Sequence, residues 1–148
     1  MIYLPERDGI DHINIYSKGK TELGRWMTNF AYSPFVSRRG HGQFASVEGF
    51  WYWLKSGEQH EHMRHLFGAE AKIHGKALER VDRDETMFNR EILFAINDKI
   101  RAYPEWQKRL SETSLPFAHY YVYNGTIKHA GYEWITEHWD RIRKRLQE

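Results

Sequence analysis

No cysteine occurs anywhere in the 148 residues. That excludes disulfides, thiolate nucleophiles and cysteine-held metals, and makes a reducing, cytoplasmic address the simplest expectation. No stretch approaches the ~20 apolar residues of a bilayer-crossing helix. The opening M-I-Y-L-P-E-R-D also lacks the basic-then-apolar layout of a secretory signal, so no membrane partner is expected. Charge of one sign is not in excess. The 22 Lys and Arg against 20 Asp and Glu leave a formal charge of +2, small for a dedicated nucleic-acid binder yet no obstacle to a phosphate-bearing ligand. Internal repeats and low-complexity segments are missing. So are a glycine-rich phosphate loop after a strand and a G-x-S-x-G elbow, which sets aside the enzyme classes built on them.

What the chain has is rings. Aromatic residues make up 16% of it and hydrophobic residues 41%, a globular composition with a core or cleft rich in Trp, Tyr and Phe. The length fits a single domain, 1–148, since domains run to about 100–200 residues and nothing reads as a linker. The alternating H-I-N-I-Y at 12–16 predicts a short strand. Leu23 to Phe35, with Gly24, Asn29 and Pro34 among aromatics, reads as an ordered loop, and R-R-G-H-G at 38–42 as a turn. Ser46 can cap a helix over Val47 to Lys55 that Gly57 closes. Two short helices are expected over Glu58 to Phe67 and Ala69 to Arg80. A longer one spans Glu85 to Tyr103, with Phe88, Ile92, Ala95, Ile96 and Ile100 as its buried stripe. Pro104 ends that helix and starts another through Leu110. Phe117 to Tyr123 reads as extended, Asn124-Gly125 as a turn, and Tyr132 to Leu146 as a closing helix with Trp134, Ile135, His138, Trp139 and Ile142 inward. The expected fold class is α+β, mainly helical, with a few short strands.

One carboxylate stands out. In F-A-S-V-E-G-F-W-Y-W-L-K at 44–55, an apolar run admits Glu48 at a helix start and then carries four aromatics in succession. That arrangement can set a proton donor or acceptor beside stacking surfaces, as cutting a bond to a nucleobase requires. Glu48 falls in the first helical turn, where backbone N–H groups favour the ionised form, a placement also common for structural reasons. Helical spacing lets Glu48, Trp51, Tyr52 and Lys55 share one face. The alternative is that Phe50, Trp51 and Leu54 face the core while Lys55 is solvated. Asn29, between aromatic neighbours, either binds a ribose or base or pins its own loop. His60, His62 and His65 crowd one segment, but their spacing completes no H-E-x-x-H motif, and neither a metal site nor a cofactor is expected. The basic run Arg141, Arg143, Lys144 and Arg145 suits the negative end of a helix dipole. A phosphate or nucleic-acid surface that takes in Arg38 and Arg39 is the other reading.

Taken together, I-N-I-Y-S at 13–17, T-N-F-A-Y-S-P-F at 28–35 and the Glu48 segment resemble the YbiA-like or NADAR family of N-glycosidases. Order and approximate spacing agree, including a glutamate seven residues before a lysine. Ala71-Lys72-Ile73-His74-Gly75-Lys76 and P-E-W-Q-K-R-L at 104–110 look like later elements of that family. Three positions depart from its pattern: Gly49 stands where a histidine usually follows the glutamate, Val47 separates serine from glutamate, and Tyr123-Asn124-Gly125 is the nearest counterpart of a late Trp-Gly-Asp. The resemblance implies a YbiA-like fold. It also implies hydrolysis of a ribosyl–nitrogen bond in an ADP-ribosylated nucleobase or a phosphoribosylated riboflavin precursor. On this reading Glu48 is the catalytic carboxylate, and Asn29, Phe30, Lys55 and Lys72 line the pocket. Trp51, Tyr52 or Tyr123 would stack on the leaving base and Asn124 would hold a ribose hydroxyl. The expected partner is a nucleotide-like small molecule or ADP-ribosylated nucleic acid; the alternative function is a catalytically silent binder of the same ligands.

Overall fold

The computed structural model describes residues 2–148. In chain order its elements are β1 (Ile13–Asn14), α1 (Glu22–Met27), β2 (Phe35–Ser37), β3 (Gly42–Phe44), α2 (Val47–Lys55), α3 (Gly68–Lys76), α4 (Glu85–Arg101), α5 (Pro104–Ser111), β4 (Phe117–Ala118), β5 (Tyr120–Tyr123), β6 (Thr126–His129) and α6 (Glu133–Gln147). The class is α+β, mainly helical. The strands form three two-stranded sheets: β1 parallel to β4, β2 antiparallel to β3, and β5 antiparallel to β6. The chain resolves into two compact units, one formed by residues up to Thr28 with Pro104–Glu148, the other by Asn29–Tyr103.

In the first unit, β1 is held by polar side chains rather than by a long ladder. The Asn14 amide donates to the Tyr120 carbonyl and accepts from the Tyr120 N–H, both at 2.9 Å, imitating a strand partner. The His12 ring, fully buried, bridges the Asp11 carboxylate at 2.6 Å and the Tyr120 hydroxyl at 2.7 Å. Asp8 accepts from the Asn14 and Lys20 N–H groups and so closes the intervening turn. Leu23 to Met27, expected as loop, is helical. The Thr21 hydroxyl caps Gly24 N at 2.9 Å, and Leu23, Trp26 and Met27 repeat at the spacing of a buried helical face. Gly24, which argued for a loop, is instead a close-approach glycine, since a Cβ there would lie 2.3 Å from the Asn14 carbonyl oxygen. Trp26 stacks on Trp106 of α5 and meets Trp139 of α6 edge-on.

In the second unit, α2 runs as expected, capped by Ser46, and α4 buries Phe88, Ile92, Ala95, Ile96 and Ile100. Between Glu58 and Phe67 only Glu61–His65 coils, as a 3-10 turn. Its carbonyls are drawn outward, Arg64 O to the Ala45 N–H and Leu66 O to the Ser46 hydroxyl, which removes acceptors that an α-helix would need. The strands β2, β3 and β6 were not legible beforehand. Phe35 and Phe44 pair across β2 and β3 and join Phe50 and Trp53 in the core. Helices α2 and α3 meet at Gly75, where a Cβ would fall 2.1 Å from Cγ of Tyr52.

Gly to Ala inside a helix ordinarily stabilises, but at Gly75 the root of the Tyr52 ring has nowhere to go. Gly75→Ala should therefore destabilise by about 1–3 kcal/mol in denaturant unfolding. Lys99 is fully buried, which pushes its ammonium down from 10.5 to about 7. Between those values the unfolded chain binds the extra proton, so this residue makes stability rise with pH from about 7 toward 10. Lys99→Met should flatten that rise by up to about 1.4 kcal/mol per pH unit.

Candidate functional site

The loop leading into β2 is fixed through its main chain. Asn29 O accepts from the Glu48 N–H and Phe30 O from the Gly68 N–H, each at 2.9 Å, so one short segment binds the starts of α2 and α3. The Asn29 amide itself makes no hydrogen bond among the described residues. The loop is therefore pinned by the peptide carbonyl and not by the side-chain amide.

Helix α2 begins with Ser46, whose hydroxyl accepts from Gly49 N at 3.0 Å and donates to Leu66 O at 2.8 Å. A capping box would put the acid three residues after the cap, where it bonds back to the cap N–H. Here Gly49 holds that place and Glu48 falls one residue short. The glycine has its own reason: a Cβ at 49 would sit 2.5 Å from the Met63 carbonyl oxygen, so no histidine fits there.

Glu48 is half-buried, and among the described residues no hydrogen bond or ion pair reaches its carboxyl group. Burial pushes its pKa up from 4.5 to about 7, against the pull of the Lys72 and Lys76 ammonium groups on α3. A helix N-terminus favours the anion; desolvation outweighs it. The two lysines lie one helical turn apart, and the Lys72 ammonium stands 5.9 Å over the Phe30 ring. Carboxylate, paired cations and an aromatic ring thus come from α2, α3 and the 29–30 loop.

The other residues of α2 divide between two neighbours. Tyr52 lies against Gly75 of α3, on the side of Glu48. Trp51 meets the Phe88 ring of α4 edge-on at 4.9 Å, and the Lys55 ammonium sits 5.2 Å over Trp51 and 5.3 Å over Phe88. Burial lowers the Lys55 pKa, helped by Arg80 and opposed by Glu85. The cations acting on Glu48 are therefore those of α3. Lys76, one turn beyond Lys72, was overlooked in the sequence, although K-x-x-x-K was its signal.

Tyr123 and Asn124 belong to the first unit. Tyr123 ends β5, half exposed, with its ring 6.2 Å from Tyr121. Asn124 and Gly125 turn the hairpin with φ of 48° and 80°, a left-handed pair that asparagine and glycine tolerate. Nearby, burial pushes the His119 imidazole down to about 4. In the second unit the His60 and His62 rings lie 6.0 Å apart, and His62 and His74 6.3 Å. Among the described residues no group of three or more His, Asp or Glu is placed to hold a metal ion. No helix there is long and apolar enough to cross a membrane.

The raised pKa of Glu48 has a measurable cost. From 4.5 to about 7 the folded chain holds a proton that the unfolded chain has lost, so the contribution of Glu48 to stability falls as pH rises through that window. Glu48→Gln should raise stability at pH 8 by up to about 3 kcal/mol and change it little at pH 4. Paired denaturant titrations at the two pH values check this.

No protein-family model matches the sequence, and no curated protein matches it. Among solved structures the chain is similar to the E. coli protein YbiA, determined by NMR. The TM-score is 0.67 with 17% identical residues over 93% of this chain and 89% of that one. The fold is YbiA-like.

Proposed function

We propose that the chain is an N-glycosidase that hydrolyses the ribosyl–nitrogen bond of an ADP-ribosylated nucleobase or a phosphoribosylated riboflavin precursor. The observation that carries it is Glu48, a half-buried carboxyl group with no partner among the described residues, a pKa near 7 and two lysines close by. Structural carboxylates are ordinarily satisfied, whereas a general base works best with a pKa near the ambient pH. The YbiA-like fold and the motifs around Asn29, Glu48 and Lys72 support the same reading.

The chemistry needs no cofactor. Loss of the base leaves positive charge on the anomeric carbon and ring oxygen, which a carboxylate stabilises in a poorly solvated site. A water oxygen bonds to the anomeric carbon as the carbon–nitrogen bond breaks, and the bond's electron pair departs on the base nitrogen. Glu48 accepts the water's proton, which returns to the base. Lys72 and Lys76 offset the phosphate charge of the substrate, Phe30 and Tyr52 supply ring surface, and the open amide of Asn29 takes a ribose hydroxyl.

One observation favours a second reading. The hairpin turn carries an amide, Asn124, where the resemblance leads one to look for an acid, and a binder without turnover would need only the pocket.

Incubation with ADP-ribosylated guanine DNA and with phosphoribosylated riboflavin precursors, followed by chromatography of the released base, tests the proposal. Turnover should rise as pH climbs through about 7. Glu48→Gln should lower kcat by about 100-fold or more while KM stays within a few-fold. Tight binding with no base released would leave the silent binder; release that persists in Glu48→Gln would remove Glu48 from the chemistry.

A further inference from the structure

A cleft of about 500 Å³ opens beside β3, lined by Tyr32, Pro34, Gln43, Phe44, Arg64 and His65 among others, and Glu48 is not part of its lining. Its volume falls within the range of small-molecule sites, roughly 300–1,000 Å³. Three features give it chemistry.

The first is a stacking plate. Tyr32 is 62% exposed, and its ring is held 4.9 Å from that of Phe67, itself 48% exposed. Two large rings left side by side in water lose the benefit of burial, while one buttresses the other in a fixed orientation. Main-chain bonds fix the loop too, for Ser33 N donates to Ala45 O at 2.9 Å, one residue beyond Tyr32.

The second is a prearranged cation. The Arg64 guanidinium lies 4.6 Å over Phe44 and 4.8 Å over Trp53, with Nη1 donating to His41 O at 2.6 Å and Nε to Glu61 at 3.0 Å. It reaches that place because Gly42 has no side chain; a Cβ there would meet Nη1 at 2.9 Å. Its Nη2 has no hydrogen-bond partner among the described residues. His65, exposed, adds a ring N–H donor, and the Glu61 carboxylate that pairs with Arg64 Nε at 3.0 Å is not among the lining residues.

The third is an open amide. The side chain of Gln43 makes no hydrogen bond among the described residues and offers a donor and an acceptor side by side. That is the pattern with which glutamine reads the edge of adenine.

From ring, cation and amide together we infer that this cleft is a second ligand site, which takes a nucleoside monophosphate with its base stacked on Tyr32 and its phosphate on Arg64 and His65. A single nucleotide suits the cleft better than a strand, because the chain's net charge of +2 offers little to a polyanion. The inference does not rest on the proposed glycosidase activity.

Calorimetric titration of the full chain with AMP, adenosine and a short oligo(dA) tests it. AMP should bind saturably and adenosine at least tenfold more weakly. Tyr32→Ala should weaken AMP about tenfold, the worth of one stacked base, while Tyr32→Phe, which keeps the ring, should retain the affinity. His65→Ala should weaken AMP but not adenosine. Thermal melts of the exposed-site variants establish that they fold. The inference is overturned by absence of saturable AMP binding, by affinity that survives Tyr32→Ala, or by binding of the oligonucleotide alone.

Discussion

The close approach of Gly49 to the Met63 carbonyl governs the geometry around Glu48. It lets the start of α2 lie directly on the backbone of the 61–65 turn, with the Ser46 hydroxyl bonded both to its own helix and to Leu66. The same contact removes the side chain that would follow Glu48 and leaves the acid outside a capping box. A larger residue at 49 would lift α2 off this turn. The start of the helix that carries the carboxylate is thus placed by backbone packing.

Around it the electrostatics are balanced against stability. Glu48 loses hydration as an anion, and Lys99, elsewhere in the same unit, loses it as a cation. The acid's cost builds from pH 4.5 to about 7 and the base's declines from about 7 toward 10.5, so around neutrality both weigh on the fold. A charged group kept in a poorly solvated place needs compensation. For Glu48 it comes from Lys72 and Lys76, which act at a distance and leave the carboxylate oxygens open. Such a group is worth its cost when a ligand or a reaction supplies the missing contacts.

The first unit solves a different problem. Its parallel β1–β4 pairing is only two residues long and could not stand alone. Asn14, His12 and Asp8 replace the missing ladder with side-chain bonds, and tryptophans from α1, α5 and α6 pack on one another. The motif I-N-I-Y-S therefore has a structural explanation in its asparagine, whose amide completes a sheet.

Much of this was legible along the chain because it is local. The Ser46 cap, the stripe of α4, the Pro104 boundary and the Asn124-Gly125 turn each depend on residues within a few positions, where capping, periodicity and glycine conformation act. Glu48 was visible for the same reason, as one acid in an apolar run. Tertiary structure decided the rest, because it depends on which surfaces meet. Gly24 read as a loop former until Asn14 was seen against it. The helical spacing that put Trp51 and Lys55 with Glu48 could not say that α4 would claim the first two and α3 supply the lysines. The chain itself determines that an acid stands among rings at the start of a helix; only the packing of α2 against α3 and the 61–65 turn decides that it is unpaired and protonates near neutrality, because desolvation is set by neighbours distant in sequence.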